Sequence, residues 1–333
     1  MNGPRCADLD YIQFLIAAQR VFTSTEAERC NPEGEGGPAH DAYTRLLRRY
    51  PPDSEGLWRE VQGCIEKGDG YLFADDSTLD KPYARVMGLV TRHWSGKHRR
   101  VVQGINLLTV LWTDGEAHMP CDYRLYDRAH DGLNKNEHFR EMVRTAHRRG
   151  FTPVLVGFDS WYSSLENLKL IRDLGWLWLT QLKHNRLVDP DRSGNRPIDA
   201  VDIPRHGAIV HLKGYGLIKV FKIAATDGGI EYWATNDLTM GLFDLADHAS
   251  NLWRIEEYHR GIKQFCGVER CQHRSATAQR NHIGFAIRAF LRLECHRLCT
   301  GTSWFEAKHS IVRRAIAAYR AAPLYTRLAV STA

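Results

Sequence analysis

Two apolar runs that stop at carboxylates constrain this chain more than any other feature. They are "YLFADD" at 71–76 and "TPVLVGFD" at 152–159. A short continuous apolar run reads as a buried strand. An acid where such a strand ends faces the crevice outside the sheet, where ligands bind in open α/β sheets. Asp76 and Asp159 are therefore read as acids at strand tips. Each could instead be a cap: Asp76 for the Ser77-Thr78 turn, Asp159 for a helix starting near Ser160.

The remaining pattern surrounds these runs with alternating element types. Residues 7–67 read as helical, broken by "NPEGEGGPAH" at 31–40. Strands are expected from "ARVMGLVTRHW", "RRVVQGINLLTVLWTDG" and "HMPCDYRLYD", and a helix from "NEHFREMVRTAHRR". "SLENLKLIRDL" reads as a helix and "WLWLTQL" as a strand. Residues 185–237 turn β-rich, and helices occupy about 241–250, 251–265, 277–299 and 303–321. The order implies a mixed sheet with helices packed on it.

The helix "NLWRIEEYHRGIKQF" at 251–265 supplies a third acid. At 3.6 residues per turn Trp253, Glu256, Arg260 and Lys263 share a face. Two strand-tip acids and one helix acid suit hard divalent cations, which take carboxylate and phosphate oxygens. Two such ions about 3.5–4 Å apart serve in-line phosphoryl displacement. The structural alternative is a surface ion pair between Glu256 and Arg260, worth a few tenths of a kcal/mol.

Charge adds a partner. The chain of 333 residues carries +6 overall, unevenly spread. Residues 1–70 hold eight Lys+Arg against twelve Asp+Glu, whereas 251–333 hold fourteen against five. A basic C-terminal third that holds this helix suggests a polyanion near it. "RHWSGKHRR" at 92–100 offers a second basic cluster at a hairpin tip, with Lys97, Arg99 and Arg100. Trp233 in the β-rich stretch is a candidate for base stacking or for core packing. No apolar run approaches the ~20 residues that span a bilayer. Asp8 and Asp10 precede a short run unlike a signal peptide, so a cytoplasmic protein is expected.

With these residues in view, the chain resembles bacterial insertion-sequence transposases of the DDE type, in the IS-four group. "FADDSTL" resembles the family's first Asp with Ser/Thr after it, and "VLVGFDSWYSS" its second. "WRIEEYHRGIK" resembles the end of a Tyr…Arg…Glu…Lys signature, with six residues between Glu256 and Lys263. The front half departs, because Leu252 and Ala249 stand where that signature has Arg and Tyr. Arg254, or else His248, would then be the nearest group for a terminal phosphate.

The resemblance implies an α/β fold: an RNase H-like mixed sheet flanked by helices, with a β-rich insertion before the third acid. The 96 residues between Asp159 and Glu256 leave room for that insertion. The expected divisions are a helical region 1–69, a first core part 70–184, an insertion 185–240, and core completion with a basic helical part at 241–333. The resemblance further implies Asp76, Asp159 and Glu256 as catalytic, metal-holding residues for two Mg²⁺, with Mn²⁺ as a substitute. It implies double-stranded DNA as partner, met by Arg254, Arg260 and Lys263, and a homodimer on DNA. Asp75 rivals Asp76; the adjoining Ser77-Thr78 favours Asp76. The competing functions are an RNase H-like nuclease that does not join DNA, and a decayed or repurposed DNA-binding protein.

Overall fold

The computed structural model describes residues 5–325, except 33, 52, 96–99 and 226–227. Among the described residues eleven strands form one sheet. They are β1 (Tyr71–Asp80), β2 (Thr91–Ser95), β3 (Arg100–Thr113), β4 (Met119–Leu125), β5 (Leu155–Phe158) and β6 (Trp178–Leu182). The set continues with β7 (Leu187–Asp189), β8 (Arg196–Pro197), β9 (Ala208–Leu212), β10 (Gly216–Ala224) and β11 (Ile230–Thr235). Helices α1 (Asp8–Ala17), α2 (Ser24–Arg29), α3 (His40–Arg49) and α4 (Glu55–Val61) precede the sheet. α5 (Arg128–Asp131), α6 (Lys135–Arg148) and α7 (Leu165–Asp173) lie among the strands. α8 (Leu242–Phe265), α9 (Ala276–Thr300) and α10 (Trp304–Ala321) close the chain.

β1 is the hub of the sheet. It pairs antiparallel with β3 along its whole length and parallel with β5, which in turn pairs parallel with β6. The far edge of β3 is shared by β2 at one end and β4 at the other. The β-rich stretch does not form a separate body. β11 pairs antiparallel with β6, so the stretch extends the same sheet through β10, β9, β7 and β8.

Helices cover both faces. α6 packs on β3 and β4, and α7 on β6. α8 lies across β1 and β3, backed by α9 and α10. The acidic N-terminal helices join this second layer rather than standing apart, since α1, α3 and α4 all meet α9. Tyr11 of α1 meets the His282 ring at 2.9 Å, and Arg288 of α9 pairs with Asp8 at 2.6 Å. A single hydrophobic cluster therefore runs from α1 to α9.

Three sequence expectations change. The acid-ended run at 71–76 does not stop there: β1 continues to Asp80, so Asp75 and Asp76 sit in mid-strand. The segment before β2 is not a strand from residue 84, because Gly88 donates to the Arg274 carbonyl and leaves the sheet. The two helices expected at 241–265 are one, α8.

Candidate active site

Successive side chains on a strand point to opposite faces. Asp76 turns toward α6. Its carboxylate accepts from Lys135 Nζ at 2.8 Å, Tyr162 Oη at 2.6 Å and Asn106 Nδ2 at 2.5 Å. Lys135 is the first residue of α6, and a capping box fixes that turn. Asn134 Oδ1 accepts from the Glu137 amide at 3.0 Å, and the Glu137 carboxylate accepts from the Asn134 amide at 2.6 Å. Burial alone would push Asp76 up, but the Lys135 charge and the three donors outweigh it and hold the carboxyl below its ordinary value.

Asp75 turns toward α8. One ligand atom from each of Asp75, Glu256 and His259 lies within 4.8 Å of the others. His259 Nδ1 is 3.7 Å from Asp75 Oδ2. Burial, then the Lys263 charge, lowers the His259 pKa to about 3, so a neutral ring brings no cation to Asp75. Burial, then the Asp76, Asp159 and Glu256 carboxylates, push the Asp75 carboxyl well above the ordinary range. Among the described residues neither Asp75 nor Glu256 has a Lys or Arg within ion-pair distance.

Asp159 comes directly after β5, the strand beside β1. Its Oδ1 accepts from the Trp161 amide at 3.0 Å, so it also caps the short 3-10 turn at 160–162. Thr180 of β6 donates to its carbonyl at 3.1 Å. Burial, then the Asp76 carboxylate, push Asp159 up to about 6.

α8 is set against the sheet by an apolar stripe. Ile255, Tyr258, His259 and Ile262 are buried, whereas Trp253, Glu256 and Arg260 are exposed. Leu252 and Phe73 occupy the space beside Gly157 of β5, where an added Cβ would meet them at 2.6 and 2.7 Å. A second clamp holds α8 from behind. The His118 ring lies 2.9 Å from the Glu257 carboxylate and 3.1 Å from that of Glu294. Arg254 also donates to Glu257 at 2.9 Å, and Arg297 and the Trp304 indole donate to Glu294. Burial would raise the Glu294 pKa, but Arg297 and His118 outweigh it and bring it to about 2.

The profile of the family described as "Transposase DDE domain" matches residues 72–291. The chain belongs to that family. It is a DNA transposase, a polynucleotidyl transferase and endonuclease of the DDE class. Among solved structures it is similar to the piggyBac transposase synaptic complex with hairpin DNA, at 11% identity and a TM-score of 0.51. That match covers 98% of this chain and 76% of the other, and it shows a shared fold. Similarity to the Drosophila P element transposase strand transfer complex is looser: 13% identity, TM-score 0.28, covering 53% of this chain and 37% of that one. A comparison with curated proteins returned no match.

Transposases of this class depend on divalent metal, and the donor set of this one fits. Asp75 and Glu256 offer hard oxygens beside a neutral imidazole, and their charge is uncompensated by side-chain cations. Asp76, the expected first acid, pairs with Lys135, and its neighbour Asp75 groups with Glu256.

The expected DNA-contacting residues of the transposase separate. Arg260 is exposed one turn beyond Glu256. Lys263 donates to the Thr78 carbonyl at 2.9 Å and lies 3.6 Å from Glu269, so it braces β1. Arg254 is held by Glu257, and His248 meets Tyr71 Oη at 3.1 Å. Arg100 is exposed at the start of β3; Lys97 and Arg99 lie outside the described residues. Trp233 packs against the core and donates its indole N–H to Glu231 at 2.9 Å. Sequence reasoning missed Lys135, Tyr162 and His259 as parts of the site. For His259 a signal existed in the i, i+3 spacing from Glu256. Among the described residues no helix is long and apolar enough to cross a membrane.

Proposed function

We propose that this transposase cuts and joins DNA in the crevice between β1, the end of β5 and α8, with Asp75, Asp159 and Glu256 as its acid trio. The observation that carries the reading is the convergence of Asp75 and Glu256 on one face of the sheet without a cationic partner. Asp159 lies close enough for its charge to raise the Asp75 pKa. Bound Mg²⁺, or Mn²⁺ in its place, would supply Lewis-acid activation of the attacking oxygen and charge stabilisation at the leaving oxygen.

The chain's own residues position and neutralise. Asp75 and Glu256 would hold the ions from the strand and the helix, and Asp159 from the strand end. Arg260, exposed beside Glu256, would meet a DNA phosphate. Asp76 acts as a positioning residue that fixes Lys135 and Tyr162 at the rim. The placement in the IS-four group rests on the Glu256 to Lys263 spacing and remains part of this proposal.

The test uses DNA ends taken from the flanks of the coding region, with Mg²⁺. Wild type should cleave them and join a pre-cut 3′ end to plasmid DNA, and Glu256→Gln should do neither while still binding DNA. Cleavage by Glu256→Gln at the wild-type rate would refute the trio. Cleavage without joining by wild type would favour the nuclease alternative.

A further inference from the structure

Trp161 sits two residues after Asp159, its amide held by that carboxylate at 3.0 Å. Its side chain is 56% exposed, an unusual place for the largest apolar ring. Two ammonium groups flank the ring: Lys135 Nζ at 5.8 Å and Lys183 Nζ at 5.4 Å from its centroid. The ring borders a groove of about 640 Å³ that is also lined by Tyr126, Asn136, Arg140 and Arg186. That volume lies within the range of ligand sites. The groove is basic: among the described residues Glu166 is its one lining acid, and Arg140 neutralises it at 2.8 Å. Lys135 joins the groove to the acids, because the same ammonium pairs with Asp76.

An exposed indole between cations, tethered to a catalytic carboxylate, matches the chemistry of single-stranded nucleic acid. A base stacks on the ring while the cations take the backbone. We propose that this groove is a subsite for an unpaired nucleotide of the DNA substrate, with its base stacked on Trp161 and its phosphate on Lys183. The proposal rests on the DNA-cleaving reading above and adds a base platform on the α6 side of the site. Trp233, the sequence candidate for base stacking, is partly buried against the core and donates its N–H to Glu231.

The probe is a fifteen-residue oligothymidylate with one 2-aminopurine, bound to the full chain without divalent metal. Stacking is worth about 1–3 kcal/mol per base, so Trp161→Ala should weaken binding by roughly 5- to 150-fold and abolish the quenching of 2-aminopurine. Trp161→Phe should keep most of both. Lys183→Ala should lower the slope of log K against log salt by about 0.7. Because the probe is bound without divalent metal, its affinity is read apart from cleavage, which separates this test from that of the acid trio. Wild-type affinity in Trp161→Ala would overturn the proposal. So would an equal loss in Trp161→Ala and Trp161→Phe, since an aromatic face would then not be what the base contacts.

Discussion

On the α6 side of β1, Asp76 meets Lys135, Tyr162 and Asn106; on the α8 side, one residue earlier, Asp75 meets Glu256 and a neutral His259. The two carboxylates share a strand and are both largely enclosed. One has its charge and lone pairs answered by the protein, and its pKa falls. The other faces more carboxylates, and its pKa rises. A buried charge without a partner costs several kcal/mol unless something neutralises it. An answered acid therefore reads as structure, and an unanswered one as a place for an external cation.

The largest effect that would break this contrast lies among the unanswered acids. Asp159→Asn should lower Mg²⁺-dependent cleavage by about 10³-fold or more, as loss of an essential catalytic group does. A single-turnover rate within tenfold of wild type would remove Asp159 from the trio. Next in size is the clamp behind α8. Glu294→Ala would leave His118 and Arg297 without their buried partner and should destabilise the fold by about 3–5 kcal/mol, read by urea unfolding. A loss under 1 kcal/mol would mean that the apolar stripe alone seats α8.

Gly157→Ala should cost about 1–3 kcal/mol by forcing Leu252 and Phe73 aside. Adding Leu252→Ala should recover part of that loss, and no recovery would show that α8 does not press on β5. Metal should also separate the two faces through pH. Asp159 is raised to about 6, so its proton stabilises the metal-free fold below the ordinary carboxylate pKa, and that contribution is lost as pH rises through 6. Mg²⁺ binds the deprotonated acids, so its thermal stabilisation should be larger at pH 8 than at pH 5. Equal shifts at both pH values would contradict a metal site on these carboxylates. The smallest effect is at the rim: Arg260→Ala should flatten the salt dependence of duplex binding by about 0.9.

Much of the architecture was legible because periodicity reports burial. The α6 helix at 135–148, strands β5 and β6, and helices α9 and α10 track the apolar pattern closely. The end of β1 was not legible, since "DDSTLD" is polar yet pairs with β3 residue for residue. A strand's end depends on its neighbour, and one run cannot report that. The choice between Asp75 and Asp76 turns on a related point. Alternation says that adjacent residues face apart, but which face holds α8 is a tertiary fact. Leu252, which stands where the signature has Arg, packs against Gly157. The extension of the sheet through β11 was hidden too, because pairing between β6 and β11 leaves no mark within either strand.

The most direct test compares the two neighbours in one assay. Asp75→Asn and Asp76→Asn are each measured for Mg²⁺-dependent single-turnover cleavage of the same DNA end, with melting temperature recorded alongside. Asp75→Asn should be inactive, slowed about 10³-fold or more, yet about as thermally stable as wild type without metal, because it replaces a carboxyl whose charged form the site disfavours with a neutral amide of the same shape. Asp76→Asn should lose stability through its bond to Lys135 and retain cleavage within about tenfold. The reverse pattern, an active Asp75→Asn beside an inactive and equally stable Asp76→Asn, would contradict the assignment of the first acid.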